Sequence, residues 1–244
     1  MSSGRQAVII VAAGQGKRMG SGVDKLWIEI AGQPVIAHTW RRCASAASVD
    51  EVVIVVRAGL EEAFRALAAG LDLPKPWRLV AGGAERQDSV WNGLAALGPE
   101  TELVAIHDGA RPCVAERLIT DTFAAARETG AAVAAQRVTD TIKESADGAM
   151  ITGHLDRGRL WAVQTPQTFR VEVIRRALAE VRRRGLLVTD DTAACELIGQ
   201  PVRLVAGAES NPKVTTPADV GFVELLLRRL GSASPRLASS TAGP

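Results

Sequence analysis

Ala7-Val8-Ile9-Ile10-Val11-Ala12-Ala13-Gly14-Gln15-Gly16-Lys17-Arg18-Met19-Gly20 begins as an apolar, β-branched run and ends in glycines and cations. A short run of that kind, stopped by glycine, reads as a strand buried on both faces. The loop after it leaves the carboxyl end of a strand, the edge at which open α/β sheets bind ligands. Gly14 and Gly16 let backbone N–H groups approach an anion with no Cβ in the way. Lys17, Arg18 and, a little further on, Lys25 add positive charge. Residues 12–20, with Lys25 following, therefore read as a cradle for phosphates. A tight strand-to-helix turn with solvated cations is the other reading open to this segment alone.

Two familiar phosphate loops do not fit. A P-loop needs Ser or Thr after its Gly-Lys to reach magnesium, and Gly16-Lys17 is followed by Arg18. A dinucleotide loop wants glycine where Met19 stands and an acidic residue at the end of the second strand, where Val52-Val53-Ile54-Val55-Val56 ends in Arg57.

Outward from this loop, strand-like runs at 7–13, 52–57, 78–81 and 102–107 alternate with helical patterns near 34–46, 60–69, 86–97 and 115–129. That rhythm implies right-handed βαβ units around a mostly parallel sheet. Further strands are expected at 131–135 and 202–205, and helices at 171–184, 191–199 and 217–230. The fold class is α/β: a three-layer sandwich built on a mostly parallel, Rossmann-like sheet. One segment breaks the rhythm. Residues 138–156 hold two short extended runs around Asp147-Gly148, a hairpin signal too polar for core strands. It reads as a projecting β-hairpin arm that finds an apolar partner on another subunit, or as an edge hairpin on its own domain.

The chain has 244 residues, 47% of them apolar and 23% charged, with a net charge of +2. That balance suits a globular enzyme and implies no bulk attraction to nucleic acid or membrane. Residues 1–230 are expected to form one domain, and 231–244, small and polar, a disordered tail. Cys43, Cys113 and Cys195 are widely spaced and cannot all pair, which favours free thiols in the cytoplasm. The N-terminus lacks the pattern of a signal peptide, and the Ala7–Ala13 run is too short to cross a bilayer.

Chemistry is concentrated at the strand ends. Ile106-His107-Asp108-Gly109-Ala110-Arg111-Pro112 sets a carboxylate and a guanidinium on the same sheet edge as the glycine loop. Asp108 can hold magnesium or another divalent cation together with waters and phosphate oxygens. Arg111 can take a phosphate in its planar fork. The alternative is that Asp108 only satisfies turn donors and pairs with Arg111. Gly82-Gly83-Ala84-Glu85-Arg86-Gln87-Asp88-Ser89 is a second glycine turn at this edge, with room for a base or ribose near Gly83 and Ser89, or else simply the start of a helix. His107, closing a buried strand, reads as a structural histidine. Asp190 and Asp191 read as helix-capping residues, and Arg182-Arg183-Arg184 as solvated cations at a helix end. Lys213, beside Pro212, can point back at the phosphate edge.

Taken in order, these blocks, with Asp140-Thr141-Ile142-Lys143, Asp156-Arg157, Gln164-Thr165-Pro166-Gln167, Thr189-Asp190-Asp191 and Asn211-Pro212-Lys213-Val214-Thr215, resemble the 2-C-methyl-D-erythritol 4-phosphate cytidylyltransferase family of the non-mevalonate isoprenoid pathway. The likeness spans about residues 6–230. It implies transfer of CMP from CTP to methylerythritol phosphate, assisted by a divalent metal. By the resemblance, Arg18, Lys25 and Lys213 are catalytic. Ala12, Ala13, Gly14, Gly16, Lys17, Gly83 and Ser89 bind nucleotide, and Asp108 binds the metal. Arg111, Thr165, Thr141 and Arg157 contact the acceptor, the last two reaching over from a partner subunit, which makes the arm the basis of a homodimer. Gly109, Asp24 and Pro212 stand where the family more often has other residues, and none removes a chemical group. A cytidylyltransferase for another polyol phosphate, such as ribitol 5-phosphate, is the nearest alternative, and a non-catalytic nucleotide sensor a more distant one.

Overall fold

A computed structural model describes residues 4–14 and 24–232. Strand β1 (Arg5–Ala12) is followed by the short pair β2 (Glu29–Ile30) and β3 (Gln33–Pro34), helix α1 (Val35–Ser45), β4 (Glu51–Val56), α2 (Glu61–Ala69), β5 (Trp77–Ala81), α3 (Arg86–Ala95), β6 (Thr101–Asp108), α4 (Glu116–Thr129) and β7 (Ala131–Arg137). Then come β8 (Lys143–Glu144), β9 (Gly153–His154), β10 (Trp161–Arg170), α5 (Val171–Arg184), α6 (Asp191–Glu196), β11 (Arg203–Ala206) and α7 (Ala218–Ser232). The last helix runs two residues into the stretch expected to be tail, and the remainder of that stretch lies outside the described residues.

The main sheet has the order β11-β7-β10-β6-β1-β4-β5, and every neighbouring pair is parallel except the two that β10 makes. Alternation along β1 splits the interior in two. Val8, Ile10 and Ala12 join Trp40, Phe64 and Phe123 beneath α1, α2 and α4, while Ala7 and Ile9 face Val90, Leu94, Ile174 and Leu178 of α3 and α5 on the other side. Helices cover both faces, so central strands are apolar throughout rather than alternating, and β4 is buried at every position. The expected three-layer α/β sandwich is the observed fold.

Chain direction across the sheet decides where a ligand can sit. From β1 the chain moves outward to β4 and β5, then returns to lay β6 on the opposite side of β1. The carboxyl ends of β1 and β6 thus flank a topological switch point, where a crevice opens between diverging connections. Gly109 N donates to Val11 O at 3.0 Å and ties the two strand ends together.

Strand β10 is absent from the sequence expectation. Pro166 and the polar Gln164, Thr165 and Gln167 interrupt its pattern. The register against β7 shifts between Val163 and Gln167, and pairing with β6 starts only at Gln167. Proline, which has no N–H to give a ladder, sits in that irregularity, and the bulge turns Thr165 toward the end of β6. The arm is observed as a hairpin: Lys143 pairs with His154 and Glu144 with Gly153, antiparallel, and all but Gly153 are exposed.

Candidate active site

A cleft of about 590 Å³ lies at the switch point. Gly14 from the loop after β1, Lys25, Gly83 from the β5–α3 turn, Ser89 from the first turn of α3, Asp108 from the end of β6, and Lys213 from the segment before α7 all line it. Ala13 lines it as well, while Ala12, the last residue of β1, is buried and does not. Gly16, Lys17 and Arg18 lie outside the described residues.

The β5–α3 turn is shaped by close approach. A Cβ on Gly82 would stand 2.4 Å from Ala13 Cβ, and one on Gly83 would stand 2.3 Å from Asp88 Cβ. Only glycine lets this turn come so near both the first loop and its own helix. Gly83 N donates to Ser89 Oγ at 3.1 Å, and Ser89 Oγ donates to Glu85 O at 3.2 Å. Glu85 and Asp88 form a capping box that fixes the start of α3.

Asp108 is the electrostatic centre. Lys213 Nζ lies 2.6 Å from its Oδ2, Arg86 Nε 3.7 Å from Oδ1 and Arg111 Nε 3.8 Å from Oδ2. Burial alone would push this carboxyl up, yet Lys213, Arg86 and Arg111 hold it well below the usual carboxylate range. It stays ionised at neutral pH. Pairing with Arg111 is thus part of a wider cluster of cations. Asp24, which precedes Lys25, is turned to Arg57 and accepts from Leu26 N at 3.1 Å.

Arg86 links this carboxylate to a second one. Its Nη1 is 2.8 Å from Oδ2 of Asp191, which is fully buried at the start of α6. Asp190 caps α6 as expected, accepting from Ala193 N at 2.9 Å, but Asp191 serves the site rather than the cap. Spacing and composition give Arg86 no role; its one sequence signal is that it is a cation in the first turn of the helix that follows the Gly82-Gly83 turn.

Arg111 and Thr165 stand behind the cleft wall instead of lining it. Arg111 Nη1 donates to Asn211 O at 2.7 Å, and Asn211 Nδ2 donates to Thr165 O at 2.7 Å. Thr165 Oγ1 accepts from Asp108 N at 3.0 Å and lies 3.0 Å from His107 Nδ1. His107 is wholly buried, and burial pushes its pKa down to about 4, so the ring is neutral. Asn211 and His107 hold the cluster together from within. Thr141 and Arg157 are elsewhere, exposed on the arm, with Arg157 Nη1 donating to Thr139 O at 2.7 Å. Within a single chain they do not line the cleft.

Two strand-end loops, a glycine turn and a clustered Asp–Lys–Arg centre at a switch point suit a ligand with a planar ring and several phosphates. A family model described as 2-C-methyl-D-erythritol 4-phosphate cytidylyltransferase matches residues 6–229. The chain belongs to this family. A cytidylyltransferase of that name from Pelotomaculum thermopropionicum is 41% identical over 223 residues, covering 91% of this chain and 94% of the relative. One from Symbiobacterium thermophilum is 45% identical over 221 residues, covering 91% and 92%. Among solved structures, a 4-diphosphocytidyl-2C-methyl-D-erythritol synthase from Anaerococcus prevotii superposes with a TM-score of 0.81 at 31% identity, covering 93% of this chain and 97% of that one. The cytidylyltransferase of Thermus thermophilus gives 0.74 at 31% identity, covering 92% and 99%. The cytidylyltransferase family thus accounts for nearly the whole described chain.

Proposed function

We propose that this protein transfers CMP from CTP to 2-C-methyl-D-erythritol 4-phosphate, giving 4-diphosphocytidyl-2-C-methyl-D-erythritol and pyrophosphate. The observation that carries this reading is the convergence of Gly14, Lys25, Gly83, Ser89, Asp108 and Lys213 on one cleft in a member of the cytidylyltransferase family. An oxygen of the acceptor phosphate attacks the α-phosphorus of CTP in line. The bond from that phosphorus to the bridging oxygen breaks, and pyrophosphate leaves from the opposite side.

No protein nucleophile is needed, because the acceptor phosphate is one already. The protein's task is to bring two anions together and hold them in line. We assign the cytosine to the Gly83–Ser89 turn and the triphosphate to the Ala12–Lys17 loop. Lys25 and Arg18 offset charge that builds up in the transition state. We assign Lys213 to the acceptor phosphate from the cleft wall, with Arg111 and Thr165 backing the same acceptor side from behind that wall. Thr141 and Arg157 would complete that side from the arm of a second copy, so the working unit is a homodimer.

The residues present fit a divalent cation such as magnesium. Asp108 offers one ionised carboxylate on the cleft wall, and among the described residues no group of three or more His, Cys, Asp or Glu could cage a metal. That donor set matches an ion that takes most of its ligands from water and phosphate oxygens. When bound, the cation would supply neutralising charge to the phosphates.

We further infer a single nucleotidyltransferase domain over residues 1–230 and a cytosolic setting. The three cysteines are free and buried, and among the described residues no helix is long and apolar enough to cross a membrane. The reading is tested by pyrophosphate release from CTP with methylerythritol 4-phosphate and, separately, with ribitol 5-phosphate. Turnover with the first alone is expected. Turnover with ribitol 5-phosphate alone would replace the acceptor, and binding of CTP without any release would make the protein a sensor.

A further inference from the structure

Asp108 and Arg111 hang from one tight turn, in which Arg111 N donates to Asp108 O at 3.1 Å. Both flanks of that turn reach the same imidazole. On one side Asp108 N donates to Thr165 Oγ1 at 3.0 Å, and that oxygen lies 3.0 Å from His107 Nδ1. On the other, His107 Nε2 lies 3.3 Å from Arg111 O. A carbonyl only accepts, so Nε2 carries the hydrogen; in the neutral ring Nδ1 is then the acceptor and the Thr165 hydroxyl the donor. Each hydrogen bond in the relay has one direction. Asp108 N–H gives to Thr165, Thr165 O–H gives to His107, and His107 Nε2–H gives to Arg111 O. With His107 at 0% and Thr165 at 4% exposure, a lost partner leaves a buried polar group unsatisfied.

Resting on the reading of Asp108 and Arg111 as phosphate-handling groups, we propose that His107 is a positioning residue for the transfer reaction, bracing both flanks of the turn that carries them. The Thr165 hydroxyl hydrogen is committed inward to His107. Thr165 therefore serves the turn through its hydroxyl. The brace stands apart from the nucleotide side, since none of its hydrogen bonds involves Gly83 or Ser89.

Two amide variants separate the halves of the brace. His107→Gln keeps a donor near Arg111 O and loses the acceptor for Thr165, whereas His107→Asn does the reverse. Each is expected to lower kcat/KM for methylerythritol phosphate by about 10- to 100-fold, the scale of a misplaced catalytic group. CTP affinity, measured without acceptor and without added divalent metal so that the Asp108 carboxylate does not enter, should change by less than about twofold. Combining His107→Gln with Thr165→Val should cost no more than Thr165→Val alone, because both break one relay. Full kcat/KM in both folded amide variants, losses that multiply in the double variant, or CTP affinity that falls in step with activity would each overturn the proposal. Ring-nitrogen NMR shifts of His107 in the wild-type protein give a readout independent of turnover. An Nε2–H tautomer is expected, and an Nδ1–H tautomer sinks the brace even if the cytidylyl transfer stands. If the wild-type protein turns over no methylerythritol phosphate while the Nε2–H tautomer is present, it is the functional reading that fails.

Discussion

Lys25 lines the same cleft as Asp108 and Lys213, and we assign its ammonium charge chemistry there. Replacing Lys25 with alanine should cut turnover by about 100-fold or more, the range for losing a preorganised charge contact. Far-UV dichroism should be unchanged. Near-normal turnover would remove Lys25 from the catalytic set. His107 makes a prediction about stability instead. Burial holds its pKa at about 4, below the ordinary 6.5 of an exposed imidazole. Between those values the unfolded chain binds a proton that the folded chain excludes, so stability is intact above 6.5 and drains away as the pH falls toward 4. By linkage this amounts to about 2 kcal/mol between pH 7 and pH 5. Urea denaturation at the two pH values should show a smaller loss in His107→Gln than in the wild type by about that amount. Equal losses would mean that the ring is solvated or already charged.

Among the elements, α3 shows how packing delivers the site. An ideal Cβ on Gly93 would lie 2.8 Å from Ile9 Cγ2 and 3.0 Å from Val55 Cγ2, both on buried strands. Glycine in a helix interior ordinarily costs about 1 kcal/mol against alanine. Here overpacking by an added methyl costs about 1–3 kcal/mol and should prevail. Gly93→Ala should therefore lower the urea midpoint, and a raised midpoint would show that α3 stands further from the sheet. The same contrast between packing and pattern governs what could be read from sequence. Strands β1, β4 and β6 are legible because both faces are covered, which writes them as unbroken apolar runs, and α5 is legible over its whole length from its amphipathic spacing. Strand β10 is not, because its central stretch is polar and carries Pro166, tolerated only at a register shift that pairing partners reveal. The convergence of loops on one sheet edge follows from strand direction alone. Arg86 with Asp191, and His107 with Thr165, escape such a reading because each pair joins residues far apart in the chain through buried polar contacts that leave no periodicity.

For the whole molecule, the arm is the piece that a single chain leaves unexplained. Its strands are two residues each and exposed apart from half-buried Gly153, and an isolated two-stranded pair is marginal in water. Met150 and Ile151 stand on it with 69% of their surface exposed, although both are apolar. Thr141 and Arg157, assigned to the acceptor side, sit on the same arm away from their own chain's cleft. A second copy satisfies all three facts, since a two-fold pairing can cover each arm and deliver its polar residues to the other subunit. Replacing Met150 and Ile151 together with serine should leave the melting of the sheet domain nearly unchanged, because neither residue belongs to its core. In sedimentation at micromolar concentration the wild type should run as a dimer and the double variant should shift toward monomer. The KM for methylerythritol phosphate should then rise by about 10-fold or more, the loss of roughly one good charge contact. The affinity for CTP should hold, because the residues we assign to the nucleotide do not include any on the arm. A wild-type monomer with full activity would detach the arm from catalysis, and a variant that stays dimeric would place the interface elsewhere on the surface.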